Sequence, residues 1–270
     1  MKMVVGRVLL GVAAALAGCS MAMAQTRIEG DPAATDPVGI VSDPCPVHAP
    51  PTTSDGWRLW NLHMLTRDYG QICRYHAANL ALRSSAQPVR VVFFGDSITD
   101  NWLKGDPSLF APGIVNRGIS GQTTAQMLVR FREDVIALHP RAVQIMAGTN
   151  DIAGNTGAAT LEIVEGNIET MAELARAHGI EVLLASTLPA AAFPWSPGKQ
   201  PAATIVAFDH WLCGYAAQNR FAYVDYYGAL VDGAGGMKPG LSSDGVHPTP
   251  AGYAVMKPIA TAAIATVSGR

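Results

Sequence analysis

The chain has 270 residues, a formal net charge of −2, 49% hydrophobic and 15% charged residues. Such a composition excludes a disordered or collagen-like chain. Without a basic surplus, it also argues against nucleic acid or an anionic membrane as partner.

Residues 1–24 read as a targeting peptide. Lys2 and Arg7 precede or open an apolar run from Val8 to Gly18, and small residues follow. That run is too short to span a bilayer as a helix. Two processing readings stay open. Ala22-Met23-Ala24 fits ordinary signal peptidase, whereas Leu16-Ala17-Gly18-Cys19 resembles a lipoprotein box that would lipidate Cys19. Both imply export to the periplasm, the medium or the outer membrane. Residues 25–54, rich in Ala, Pro, Asp and Thr, read as a linker, and residues 55–270 suit one domain. Of the four cysteines, Cys45 and Cys73 would pin the linker to the domain if they pair. The loop they would close is worth about 3.5 kcal/mol in the chain-entropy model. Cys213 falls in an apolar helical run and reads as a buried, inert thiol. No metal-ligand spacing of the usual kinds occurs.

Apolar spacing at Leu62, Leu65, Tyr69 and Ile72 predicts one helix over 57–83. Five apolar runs then predict strands: 89–94, 114–116, 142–147, 181–186 and 221–224. Helices are predicted over 123–138, 158–178, 202–219 and 250–267, with Gly179 as a C-terminal stop. The alternation implies an α/β domain, a five-stranded parallel sheet between two helical layers. Ligands of such sheets bind beyond the C-terminal strand ends. Connections there look short, which argues against a deep lipase-type lid.

Polar, glycine-containing blocks occupy those strand ends. Gly95-Asp96-Ser97-Ile98-Thr99 follows the first strand, and Arg117-Gly118-Ile119-Ser120-Gly121 the second. Gly148-Thr149-Asn150-Asp151 follows the third, and Asp244-Gly245-Val246-His247-Pro248 precedes the last helix. A serine at a strand-to-helix turn is a candidate nucleophile but needs a base. His247 is that candidate, with Asp244 to orient it. The Ser97 N–H, the Gly118 N–H and the Asn150 side-chain amide are candidate donors for an oxyanion. Each block alone has a bland reading. Ser97 could cap a helix, Asn150 could serve a turn, and Asp96 and Asp151 read as caps or turn residues. Trp102 and Trp195 are candidate substrate contacts, although either could simply pack its own loop.

Taken together and in this order, the four blocks resemble the SGNH hydrolases, the GDSL esterase/lipase family. The resemblance spans about residues 88–267 and is nearest to the compact lysophospholipase and platelet-activating-factor acetylhydrolase-like branch. It implies a flavodoxin-like three-layer α/β/α fold and ester hydrolysis without cofactor or metal. It places the family's name-giving residues on Ser97, Gly118, Asn150 and His247, with Asp244 completing a triad. The expected substrates are short-acyl, such as acetyl, esters of carbohydrate or simple alcohols. Lysophospholipid is the alternative within the class; acyl transfer or non-catalytic binding on the same fold is the alternative outside it. Residues 25–87 lie outside the resemblance.

Overall fold

The computed structural model describes residues 36–45 and 52–268. The signal segment, both cleavage readings, Cys19 and most of the predicted linker lie outside the described residues. Two helices open the domain, α1 (Ser54–Arg67) and α2 (His76–Arg83). Then come β1 (Val91–Gly95), α3 (Ser97–Gly105), β2 (Ile114–Gly118), α4 (Thr124–Asp134) and β3 (Ala142–Met146). They are followed by α5 (Thr149–Ala153), α6 (Leu161–Ala177), β4 (Glu181–Ala185) and α7 (Ala202–Asn219). The chain closes with β5 (Ala222–Val224), α8 (Tyr227–Leu230) and α9 (Pro250–Ser268).

All five strands pair in parallel in the order β2-β1-β3-β4-β5. The period-2 geometry of a strand sends alternate side chains to opposite faces. Val92, Phe94, Val143, Ile145, Val182 and Leu184 accordingly enter one core, closed by α4, α6 and α7. Val91, Phe93, Ala142, Met146, Leu183 and Ala185 enter the other, closed by α3 and α9. This is the expected three-layer architecture with its strands near the predicted positions. The chain reverses direction across the sheet between β1 and β3, which opens a crevice at their C-terminal ends.

Four expectations need correction. The single helix over 57–83 is two helices. Asp68 leaves helical geometry and accepts from the Ile72 N–H at 2.9 Å, and Gln71 turns left-handed at φ 51°. Leu62 and Leu65 are exposed, at 39% and 44%, so their spacing marked no core stripe. Cys213 is exposed as well, because the buried stripe of α7 runs through Ile205, Phe208, Leu212 and Ala216 and leaves it to one side. The connections are not uniformly short: residues 186–201 and 231–249 form two long loops over the strand ends. Trp102 is fully buried, stacked on Tyr253 at 5.2 Å, and packs the core beneath α3.

Cys45 and Cys73 are joined by a disulfide, which fastens residues 36–45 to the short helical turn Ile72–Arg74. Just beneath, Arg130 is completely buried in α4. Its guanidinium donates to Asp134 Oδ2, to the Arg117 carbonyl and to the Gly95 carbonyl, each at 2.9 Å, and also to Gln122 Oε1. It lies 4.2 Å from the Phe94 ring centroid. Removing one partner of a buried ion pair leaves the other charge uncompensated. Arg130→Ala is therefore expected to lower stability by about 3–5 kcal/mol, read as a shift of the urea unfolding midpoint.

Candidate active site

β1 delivers its last apolar residue, Phe94, into the core and emerges at Gly95. The Asp96 carboxylate caps α3 by accepting from the Ile98 N–H at 2.9 Å. Ser97 thus occupies the first helical position, where its own N–H has no intrahelical partner and no acceptor among the described residues. The Ser97 hydroxyl stands 2.9 Å from His247 Nε2. His247 Nδ1 is 2.6 Å from Asp244 Oδ2. Residues 150 positions apart are brought together because α9, which follows His247, packs against the same sheet face as α3.

The segment carrying Asp244 and His247 folds around the carboxylate. Asp244 Oδ1 accepts from the backbone N–H groups of Val246 and His247 at 2.9 and 2.8 Å. Ser242 Oγ donates to the His247 carbonyl at 2.7 Å. Partial burial alone would raise the Asp244 pKa. The bonds from the His247 side chain, its N–H and the Val246 N–H overcome that and hold it down at about 2. Asp244 is therefore ionised, and it can fix the imidazole tautomer that leaves Nε2 free to accept from Ser97.

The predicted donors separate. The Gly118 N–H is buried and already donates to Asn116 Oδ1 at 2.8 Å. Gly118 is glycine for another reason: a Cβ there would lie 2.1 Å from the Asp100 backbone nitrogen, so the missing side chain lets β2 pass under α3. Gly121 lies at the exposed tip of the β2–α4 loop with φ +82°. Among the described residues its N–H has no acceptor. Its carbonyl accepts from Asn155 Nδ2 at 3.0 Å, and the same Nδ2 donates to Asn150 Oδ1 at 2.8 Å. Gly121 and Asn150 are thereby held as neighbours. Sequence reading missed Gly121, although its place after the polar Ile119-Ser120 step, in a loop needing positive φ, was a usable signal. Asn150 Nδ2 donates to the Gln122 carbonyl at 3.0 Å and to Asp96 Oδ2 at 3.2 Å, so both its protons are engaged.

Trp195 is 40% exposed, with its ring centroid 5.7 Å from that of His247. Its indole N–H donates to Asn155 Oδ1 at 2.9 Å, and its ring stacks on Phe193. Beside it, Phe193, Pro194, Met237, Asp232, Asp244 and Gly245 help to line a cleft of about 490 Å³. Asp151 accepts from the Thr124 N–H and hydroxyl, tying α5 to the start of α4. Asp43, Cys45 and His76 cluster closely, but Cys45 is spent in the disulfide and cannot offer a thiolate.

Two buried carboxyls lie at the strand ends. Burial pushes Asp96 up to about 6, against the Ile98 N–H and the nearby His247, which pull it down. Burial pushes Asp209 up to about 7, against its bonds with Thr187, while Asp225 adds repulsion. An unfolded aspartate ionises near pH 4. Between about pH 4 and about pH 7 native Asp209 therefore keeps a proton that the unfolded chain has lost, and stability falls as pH rises through that window. Asp209→Asn should flatten this part of the stability–pH curve by on the order of a few kcal/mol, measured as the difference from wild type in urea midpoints at pH 5 and pH 8.

The model of the GDSL-like Lipase/Acylhydrolase family matches residues 93–255. Esterase TesA of Pseudomonas aeruginosa is 35% identical over 136 residues, covering 50% of this chain and 61% of that protein. The acetylxylan esterase of Geobacillus stearothermophilus is 36% identical over 87 residues, covering 23% of this chain and 40% of that one. The chain thus matches less than two thirds of the length of these relatives. A solved GDSL-like lipase from Bacteroides thetaiotaomicron superposes with a TM-score of 0.70 at 43% identity, covering 73% of this chain and 98% of that one.

Proposed function

The chain belongs to the GDSL-like lipase/acylhydrolase family, and on that premise we propose that it is a serine hydrolase of carboxylic esters. The observation that carries this reading is the continuous relay from Asp244 Oδ2 to His247 Nδ1 at 2.6 Å and from His247 Nε2 to Ser97 Oγ at 2.9 Å. Ser97 attacks the ester carbonyl as His247 Nε2 takes its proton. The Asp244 carboxylate stabilises the imidazolium. Collapse of the tetrahedral intermediate sends that proton to the leaving alcohol, and water then releases the acyl group by the reverse relay.

The developing oxyanion needs donors without prior acceptors. The Ser97 and Gly121 N–H groups meet that condition, and Gly118, already committed to Asn116, does not. Asn150 contributes by exchanging its longer bond, the 3.2 Å contact to Asp96, for the oxyanion. No organic cofactor or metal enters any step of this scheme.

The substrates we favour are short-acyl esters, acetyl foremost, of a carbohydrate or simple alcohol. His247 must protonate the leaving oxygen, so the alcohol lies on the imidazole side. There the half-exposed Trp195 offers a flat apolar face suited to a sugar ring. The cleft beside Asp244 gives that larger alcohol room. The relative named an acetylxylan esterase agrees with this choice. Export belongs to the same proposal, since the Cys45–Cys73 bridge is chemistry of an oxidising compartment. Among the described residues no helix is long and apolar enough to cross a membrane.

The test is p-nitrophenol release from acetate, butyrate and palmitate esters. Wild type should prefer acetate, and Ser97→Ala should lose nearly all turnover with its melting temperature unchanged. Preference for palmitate would instead support a lysophospholipase. Asn150→Ala should lower kcat about 100- to 1000-fold. Asp244→Asn should be as severe or worse, through the wrong histidine tautomer.

A further inference from the structure

The segment from Gly70 to Asn79 precedes the residues that match the family, yet its polar groups converge on one feature, the end of β2 and the loop that follows it. The Tyr75 hydroxyl donates to the Gly118 carbonyl. Gln122 Nε2 donates to the Gly70 carbonyl at 3.1 Å. Arg117 Nε donates to Asn79 Oδ1 at 2.9 Å. Arg74 lies 3.6 Å from Asp100, whose other oxygen accepts from the Ser120 hydroxyl at 2.7 Å. The loop is therefore gripped at its entrance, through Gly118, and at its exit, through Gln122, with Gly121 between. The N–H of the peptide that Tyr75 holds, at Ile119, is itself bound to the Gly95 carbonyl at 3.0 Å. That peptide unit is fixed at both poles, one to the nucleophile's strand and one to Tyr75.

At its end the segment is anchored by the buried Asn79, whose Nδ2 donates to Asp134 Oδ1 at 2.7 Å and to the Glu133 carbonyl at 3.2 Å. The turn Ile72–Arg74 buries no residue, and Leu80 just beyond is exposed. The Cys45–Cys73 disulfide, one residue from Arg74 and two from Tyr75, adds a covalent tie from this turn to residues 36–45. Tyr75 is clamped in turn, with the Arg117 and Arg74 guanidinium groups 4.7 and 5.0 Å from its ring centroid. Burial, with Asp100 adding to it, pushes its hydroxyl up to about 12, so it remains a donor through the neutral and alkaline range.

We infer that Tyr75, carried on the disulfide-fastened segment Gly70–Asn79, is a positioning residue for the oxyanion loop. It touches no reacting atom. It sets the peptide plane from which the loop runs to Gly121, and so sets where the Gly121 N–H points. The inference rests on the reading of Ser97 as nucleophile and of Gly121 as an oxyanion donor. A donor set displaced by a fraction of an ångström costs rate rather than binding, because the ground-state carbonyl asks little of it.

The experiment compares wild type, Tyr75→Phe, Cys45→Ser/Cys73→Ser and Ser97→Ala on p-nitrophenyl acetate. Active serines are counted by labelling with a fluorophosphonate. Tyr75→Phe should lower kcat per labelled serine roughly tenfold, with KM within about twofold and the melting temperature unchanged. Loosening the fastening in Cys45→Ser/Cys73→Ser should shift kcat in the same direction. A merely structural tyrosine would reduce the labelled fraction or the melting temperature and leave kcat per labelled serine at the wild-type value. That result, with Ser97→Ala inert, overturns the inference and leaves the serine mechanism standing. Activity surviving in Ser97→Ala would overturn the serine reading itself.

Discussion

A guanidinium with no access to water must find all its partners inside the protein, and Arg130 finds them where the site is assembled. Its acceptors are the Gly95 carbonyl just before Asp96-Ser97, the Arg117 carbonyl at the end of β2, the Gln122 side chain in the loop and Asp134 one turn along α4. The strand that delivers the nucleophile and the loop that carries Gly121 are thus bonded to one rigid, planar group. Asp134 is drawn in further by Asn79 Nδ2 at 2.7 Å, which brings the N-terminal segment into the same network. A buried charge of this kind adds little net stability over a well-packed apolar side chain. Its effect is to make several carbonyl and side-chain positions mutually dependent, so that a shift in any of them leaves a polar group unpaired.

This dependence explains which features were legible in the sequence. The strands were, because parallel strands buried on both faces read as unbroken apolar runs, as in Val91-Val92-Phe93-Phe94. Ser97, Asp244 and His247 were, because each sits in a short polar block at a strand end or before a helix, where the fold class already directs attention. The order of the blocks also carried the family resemblance. Those three residues meet in space, and the family match covers all of them.

What was not legible depended on direction rather than residue type. Both Gly118 and Gly121 lie in Asn116-Arg117-Gly118-Ile119-Ser120-Gly121, and a sequence does not say which N–H already has an acceptor. The Asn116 side chain, two residues back, decides that. Trp102 and Trp195 flank the same site in sequence terms. Only three-dimensional packing sends the first beneath α3 onto Tyr253 and the second out beside His247. Leu62 and Leu65 had helical spacing, but periodicity reports a face without saying whether anything covers it. Cys213 failed for the same reason, in a helix that is apolar nearly all round.

The two aspartates nearest the relay show how one fold separates roles among like groups. Asp244 is the more exposed, and it receives the His247 imidazole and two backbone N–H groups, which hold it ionised down to about pH 2. Asp96 is fully buried, has the Ile98 N–H and Asn150 as its bonded partners, and rises to about 6. Had the two environments been reversed, the carboxylate orienting the histidine would lose its charge at mildly acidic pH. Donor count sets Asp244, desolvation sets Asp96, and both follow from placement: one in a loop that can wrap its backbone around a carboxylate, the other under a helix start with room for a single cap. The proposed chemistry needs Asp244 on its side of that asymmetry, since an imidazolium forming at His247 must face a carboxylate that is already charged.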